Sequence, residues 1–189
     1  MLAGSVWWHR YCSDVVDAQR PDLPRGVRGC VTLGRVYDWR SDRIRSALRG
    51  ENPTVLARMP GGFAVMGDVQ WLPGYCVLLT DEPDVTRLSE LPRPARLQYL
   101  DSLDRLAEAV EQSCAEADPA FRRVNIEILG NSDPFLHAHV WPRYDWEPDA
   151  MIGRPVWLYP PERWSDHASE LGEQHDALRA GIATRLTSR

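Results

Sequence analysis

The sequence predicts an α+β domain, with an antiparallel sheet of about five strands, one central helix and a C-terminal helical extension. Three observations predict it. Short apolar runs separated by Pro-Gly and Gly-Gly turns come first, a long amphipathic stretch follows, and a pair of alternating runs comes after that. Strand and helix patterns are segregated along the chain and do not alternate, which favours an antiparallel sheet over a parallel one.

The elements follow in order. Residues 37–48 carry a weak helical pattern through Tyr37, Ile44 and Leu48. Residues 54–59 and 63–66 flank Pro60-Gly61-Gly62 and read as a hairpin. Residues 75–80, after Pro73-Gly74, form an apolar run of strand length. The clearest helix spans 94–116. Leu97, Leu100, Leu103, Leu106, Ala107 and Val110 recur at helical spacing and read as one core-facing stripe, with Asp101, Asp104, Arg105, Glu108 and Glu111 largely opposite. Residues 123–129 alternate Val124, Ile126 and Ile128 against Asn125 and Glu127, the mark of a half-buried strand with a polar face. A strong turn at 130–134 leads into a strand at 135–141. Beyond it, a tail rich in Pro and Trp includes one strand at 156–159, and a last helix spans 165–186. The chain thus divides into an N-terminal extension at 1–53 packed on the core, a core at 54–144, and a tail and helix at 145–189, all one globular unit.

Composition excludes several functions. Of 189 residues, 22 are basic and 27 acidic, and every basic residue is Arg. No lysine is available for a Schiff base or for a phosphate-loop motif. A net charge of -5 gives no encouragement to a nucleic acid duplex or an anionic membrane as partner. Cys12, Cys30, Cys76 and Cys114 are scattered without a C-x-x-C pair, and Cys76 and Cys114 sit in apolar patterns as small hydrophobes. No apolar run approaches the roughly 20 residues that span a bilayer. Without a signal-peptide pattern at the start, a cytoplasmic protein is expected.

The chemistry concentrates at 129–143. Side chains at i and i+2 of a strand share a face, so Phe135, His137, His139 and Trp141 share one and Leu136, Ala138 and Val140 the other. The second set is a core face. The first sets two imidazoles about 6 to 7 Å apart along the strand, and imidazole serves as nucleophile, acid or base near neutral pH. Asn131 and Ser132 in the preceding turn offer amide, hydroxyl and backbone N–H donors that suit a phosphate. Arg143, just past the strand, adds a charge-assisted contact, and Asn125 and Glu127 point from the neighbouring strand.

This stretch resembles the histidine-triad proteins, whose motif is His-x-His-x-His, two apolar residues and often Pro-Arg. Matching Pro142-Arg143 to that ending places His139 on the third histidine and His137 on the middle one. Phe135 stands at the first. Upstream, Leu72-Pro73-Gly74 resembles the Pro-Gly-His turn, with Tyr75 for its histidine, and Asp68 resembles the acidic residue that contacts the ribose. The likeness covers residues 54–144, and its Leu-Gly-Asn version is similar to a bacterial diadenosine-polyphosphate hydrolase-like branch.

The resemblance implies a nucleotide-phosphate hydrolase or nucleotidyl transferase that acts at the α-phosphate of an adenine nucleotide ester, anhydride or amidate. His137 attacks and His139 hydrogen-bonds the phosphate oxygens or assists the leaving group. Asn125, Asn131, Ser132, Asp68 and Arg143 bind substrate. No metal or cofactor is required, the partner is a small-molecule nucleotide such as diadenosine tetraphosphate, and a homodimer is implied. Two alternatives stay open: a nucleotide-binding protein with a relic site, and a metal-dependent hydrolase in which Glu127 or Asp133 joins the His-x-His pair. Elsewhere His9, His167 and His175 read as structural or solvated. Trp141, Trp146, Trp157 and Trp164 read as packing, with one able to cap an adenine ring.

Overall fold

A computed structural model of the chain describes residues 38–131 and 133–188. The readings of His9, Cys12, Cys30, Tyr37 and Ser132 lie outside the described residues.

Five strands form one antiparallel sheet: β1 (Val55–Met59), β2 (Gly62–Met66), β3 (Cys76–Leu79), β4 (Phe121–Glu127) and β5 (His137–Tyr144), in spatial order β1-β2-β3-β5-β4. Turn chemistry sets the hairpin between β1 and β2. Gly62 has φ of 143°, and a Cβ there would run into the Leu79 carbonyl, so a side chain is refused at this corner.

Among the described residues three α-helices accompany the sheet: α1 (Arg43–Leu48), α2 (Arg93–Ala117) and α3 (Asp176–Thr187). Helix α2 starts with Pro94 in its first turn, where a missing N–H costs nothing, and stops before Asp118-Pro119. Its buried line runs through Tyr99, Leu103, Leu106, Val110 and Cys114 against Ala64, Met66, Leu78, Ala138 and Val140 of the sheet. Each fully buried leucine on it contributes about 1.5–3 kcal/mol. The expected stripe is corrected at its N-terminal end. Tyr99 takes the core position and donates to the Leu78 carbonyl, which rotates Leu97 (52% exposed) and Leu100 (38%) out to solvent.

Two further corrections concern the edges. Strand β5 runs three residues past Trp141, through Pro142 and Arg143. Pairing with β3 ends at Cys76 and Val140, so among the described strands Pro142 has only β4 beside it, and its missing N–H breaks no second ladder there. On β4, an edge strand, Val124 packs on the core but Ile126 (47%) and Ile128 (37%) are exposed.

The tail departs most from expectation. Val156–Leu158 is a 3-10 turn and not a strand, because Pro155 and Pro160 bracket it with fixed φ and no N–H to offer a ladder. Helix α3 begins at Asp176, not at 165. Short 3-10 turns at His167–Ser169 and Glu173–His175 precede it, separated by Gly172.

The sheet therefore has two dressed faces. One lies under α2 and α3. The other gathers Phe63, Val65, Tyr75, Val77, Leu79 and Trp141 beneath Ile44 and Ala47 of α1, Trp71, Leu72, and Val156 and Tyr159 of the tail. Among the described residues no helix is long and apolar enough to cross a membrane.

Candidate active site

The second face carries the histidines. Strand alternation turns Phe135, His137, His139 and Trp141 to it, while Leu136, Ala138 and Val140 enter the core under α2. The register of β3 against β5 sets Val77 beside His139, and the next residue out on that face, Tyr75, meets Trp141. Their rings stack with centroids 3.6 Å apart and planes 7° apart.

Each imidazole has its own partner. His137 Nδ1 lies 2.9 Å from the Phe135 carbonyl. A carbonyl oxygen only accepts, so Nδ1 carries the hydrogen and, in the neutral ring, Nε2 keeps its lone pair. His139 Nδ1 lies 2.8 Å from the Tyr75 hydroxyl. Burial, and secondarily the nearby His137, pushes the His139 pKa down to about 3, so its ring is neutral at physiological pH. Burial likewise raises the Tyr75 phenol well above its ordinary value and keeps it protonated. The two imidazole centroids are 4.8 Å apart, with planes at 83°.

Aromatic rings enclose the pair. Phe135 lies 5.0 Å from His137, centroid to centroid, and Trp141 stacks 5.5 Å from His139. From the tail, Trp157 meets His139 edge-on at 4.9 Å. His137 is left only 6% exposed. Behind Tyr75 sits Gly67, where a Cβ would collide with the phenol ring. The Trp141 indole donates to Glu127 at 3.1 Å, which orients the carboxylate across from His139.

The remaining site candidates separate. Asn125 lies on β4 opposite Trp141 and is half-buried on the histidine face, while Asn131 is exposed in the bend before β5. Asp68 is held by Arg43 of α1 through two bonds of 3.1 and 2.5 Å, so its carboxylate has a cation already in place. Arg143 corrects the expected phosphate contact. It is buried and fully engaged: Nε and Nη2 reach Glu147, and Nη1 and Nη2 donate to the carbonyls of Arg154, Met151 and Ile152. Glu147 in turn accepts from the Tyr144 N–H and the Tyr159 hydroxyl. This clasp fixes the tail that brings Trp157 to His139.

Among the described residues no three His, Cys, Asp or Glu side chains come together as a metal-ligand set, and Glu127 and Asp133 complete none with the histidines. The sequence marks Tyr75 as a departure and Trp157 as packing, and gives no role to Arg43 or Glu147. The spacing of Glu147 four residues after Arg143 was the one signal available for the clasp.

No family sequence model and no curated protein sequence matches the chain. Solved structures do. A histidine triad protein from Marinobacter aquaeolei is 22% identical, with TM-score 0.56, over 70% of this chain and 87% of that one. One from Sinorhizobium meliloti is 19% identical, with TM-score 0.57, over 69% and 87%. A Hit-like protein from Bartonella henselae, described as involved in cell-cycle regulation and solved with an unknown ligand, is 16% identical, with TM-score 0.51, over 78% and 99%. The chain has the fold of histidine-triad proteins. At such identities the likeness extends to the fold alone.

Proposed function

We propose that this chain is a nucleotide-phosphate hydrolase or nucleotidyl transferase acting at the α-phosphate of an adenine nucleotide ester, anhydride or amidate, with diadenosine tetraphosphate as one candidate. The observation that carries the reading is the bond between His137 Nδ1 and the Phe135 carbonyl, which leaves Nε2 as a fixed lone pair. Nε2 attacks phosphorus and the N–P bond forms as the bond to the leaving group breaks, its electron pair departing with that group. Water then attacks phosphorus and gives up a proton to solvent, the N–P bond breaks with its electron pair returning to Nε2, and the nucleoside monophosphate leaves with neutral His137 restored. Asn131 and Ser132 cradle the phosphate and Asn125 borders it. The depressed pKa of His139 suits a hydrogen-bond donor to the phosphoryl oxygens better than an acid.

The test is a panel of adenylylated compounds (dinucleoside polyphosphate, adenylyl sulfate, adenylyl amidate) with AMP release as readout. The wild type releases AMP from at least one, and His137→Ala does not. Equal release by both proteins sinks the reading.

One observation favours a second reading, nucleotide binding without turnover: Phe135, at the first motif position, packs against His137 with ring centroids 5.0 Å apart. AMP binding by calorimetry, with no release from any compound in the panel, selects it. A homodimer joined along the outer edge of β4 fits either reading, since Ile126 lies exposed on that strand. Sedimentation of wild type against Ile126→Glu checks it.

A further inference from the structure

We propose that Tyr75 is a positioning residue that holds His139 as its Nε2–H tautomer, making the second imidazole a hydrogen-bond donor to a phosphoryl oxygen and not a proton source. The inference rests on the reading of His137 and His139 as a nucleotidyl-transfer pair and assigns a residue that pair does not itself explain.

The geometry carries it. The Tyr75 hydroxyl and His139 Nδ1 are 2.8 Å apart, and among the described residues the hydroxyl has no other hydrogen-bond partner. Two hydrogen placements are open to such a pair. If Nδ1–H donated to the phenol oxygen, the phenolic hydrogen would be buried without an acceptor. If the phenol donates to Nδ1, both groups are satisfied and the hydrogen of the neutral ring moves to Nε2. The phenol is not free to turn away. Its ring is stacked on Trp141 at 3.6 Å on one side and backed by Gly67 on the other, where the absence of a Cβ makes the space it fills.

The same logic gives His137 the opposite tautomer. A carbonyl behind Nδ1 leaves a lone pair at Nε2, while a hydroxyl behind Nδ1 leaves a hydrogen at Nε2. Two neighbouring histidines on one strand thus become a nucleophile and a donor through what stands behind each ring. The backing group for His139 comes from another strand end, the residue just before β3.

Tyr75→Phe removes the hydroxyl and keeps the stacking ring. Long-range proton–nitrogen correlation NMR of the full chain reads the tautomers without any substrate. In the wild type, His139 is expected to show a pyridine-like Nδ1 and a pyrrole-like Nε2, with the reverse at His137. In Tyr75→Phe, His139 shifts to a mixture or to Nδ1–H while His137 is unchanged, and AMP release falls about tenfold or more in kcat with little change in KM. A wild-type His139 protonated at Nδ1, or a His139 tautomer that ignores Tyr75→Phe, overturns the proposal. The wild-type spectrum decides alone if the variant does not fold. Absence of AMP release by the wild type from every compound sinks the transferase reading and leaves the tautomer result standing.

Discussion

Trp157 rests edge-on against His139, with ring centroids 4.9 Å apart and planes at 73°. A residue of the C-terminal tail thereby closes the side of an imidazole carried on a central strand. Trp157 itself is 39% exposed, so its removal exposes His139 to water more than it hollows the core. Trp157→Ala is expected to raise the His139 pKa from about 3 toward its ordinary value of 6.5, followed by NMR titration of the ring. An unmoved titration would show that other walls set the burial.

Stability carries the same signature. The folded state holds His139 neutral to about pH 3, whereas an unfolded histidine takes up its proton near 6.5. Between those values the unfolded state binds more protons, so this contribution is complete above 6.5 and declines as the pH falls. His139→Asn flattens that slope in denaturant unfolding measured from pH 7 down to 4.

A second prediction concerns leaving groups. Phe135 stands at the position next to His137 on the histidine face, and His139 is neutral at physiological pH, so neither residue supplies a proton. Anhydrides, whose phosphate or sulfate leaves as a stable anion, need none. Amidates expel an amine that must be protonated, and a missing general acid costs about a hundredfold or more. Dinucleoside polyphosphates and adenylyl sulfate are therefore expected to outrun adenylyl amidates by about that factor in kcat/KM. Equal rates would place a proton donor elsewhere in the site.

The clasp beneath the tail gives a third. The Arg143 and Glu147 side chains are 4% and 0% exposed. Glu147→Ala strands a buried guanidinium and is expected to lower stability by about 3–5 kcal/mol in denaturant unfolding. Burial alone would raise the Glu147 pKa, but bonds from Arg143, Tyr159 and the Tyr144 N–H outweigh it and leave the carboxyl below its usual range. Its contribution is whole above the unfolded carboxylate value and is lost as the pH falls through the folded one. Loss of the clasp also loosens the tail, read as a change in tryptophan emission.

Gly67→Ala is the fourth. A methyl group at that position collides with the Tyr75 ring, and the backbone angle itself would tolerate alanine. The cost is overpacking, about 1–3 kcal/mol. Displacement of Tyr75 also breaks its bond to His139, so the His139 tautomer changes as in Tyr75→Phe. A stable protein with an unchanged ring would show that the phenol has room to yield.

Much of the sheet was legible because it rests on local rules. Pro60-Gly61-Gly62 and Pro73-Gly74 mark turns, and alternation at 135–141 assigns His137 and His139 to one face, where the structure has them. The misreadings arose where partners distant in sequence decide the outcome. Pro142 reads as the end of a strand unless one knows that β3 stops at Cys76. Leu97 and Leu100 read as core until Tyr99 takes their place, a choice made by the Leu78 carbonyl. Arg143 reads as available for phosphate because the four-residue spacing to Glu147 does not by itself reveal that three tail carbonyls also surround it. Trp157 reads as packing, but its partner His139 is hidden for the same reason: the prolines that spoil its strand also bend the tail across the histidines.

The most direct test is intact-protein mass spectrometry after rapid mixing with diadenosine tetraphosphate and a quench that preserves phosphoramidates. A transient increment of one adenylyl group is expected, mapped by fragmentation to His137 and absent from His137→Ala. AMP release without any covalent adduct, or an adduct on another residue that survives in His137→Ala, would contradict it.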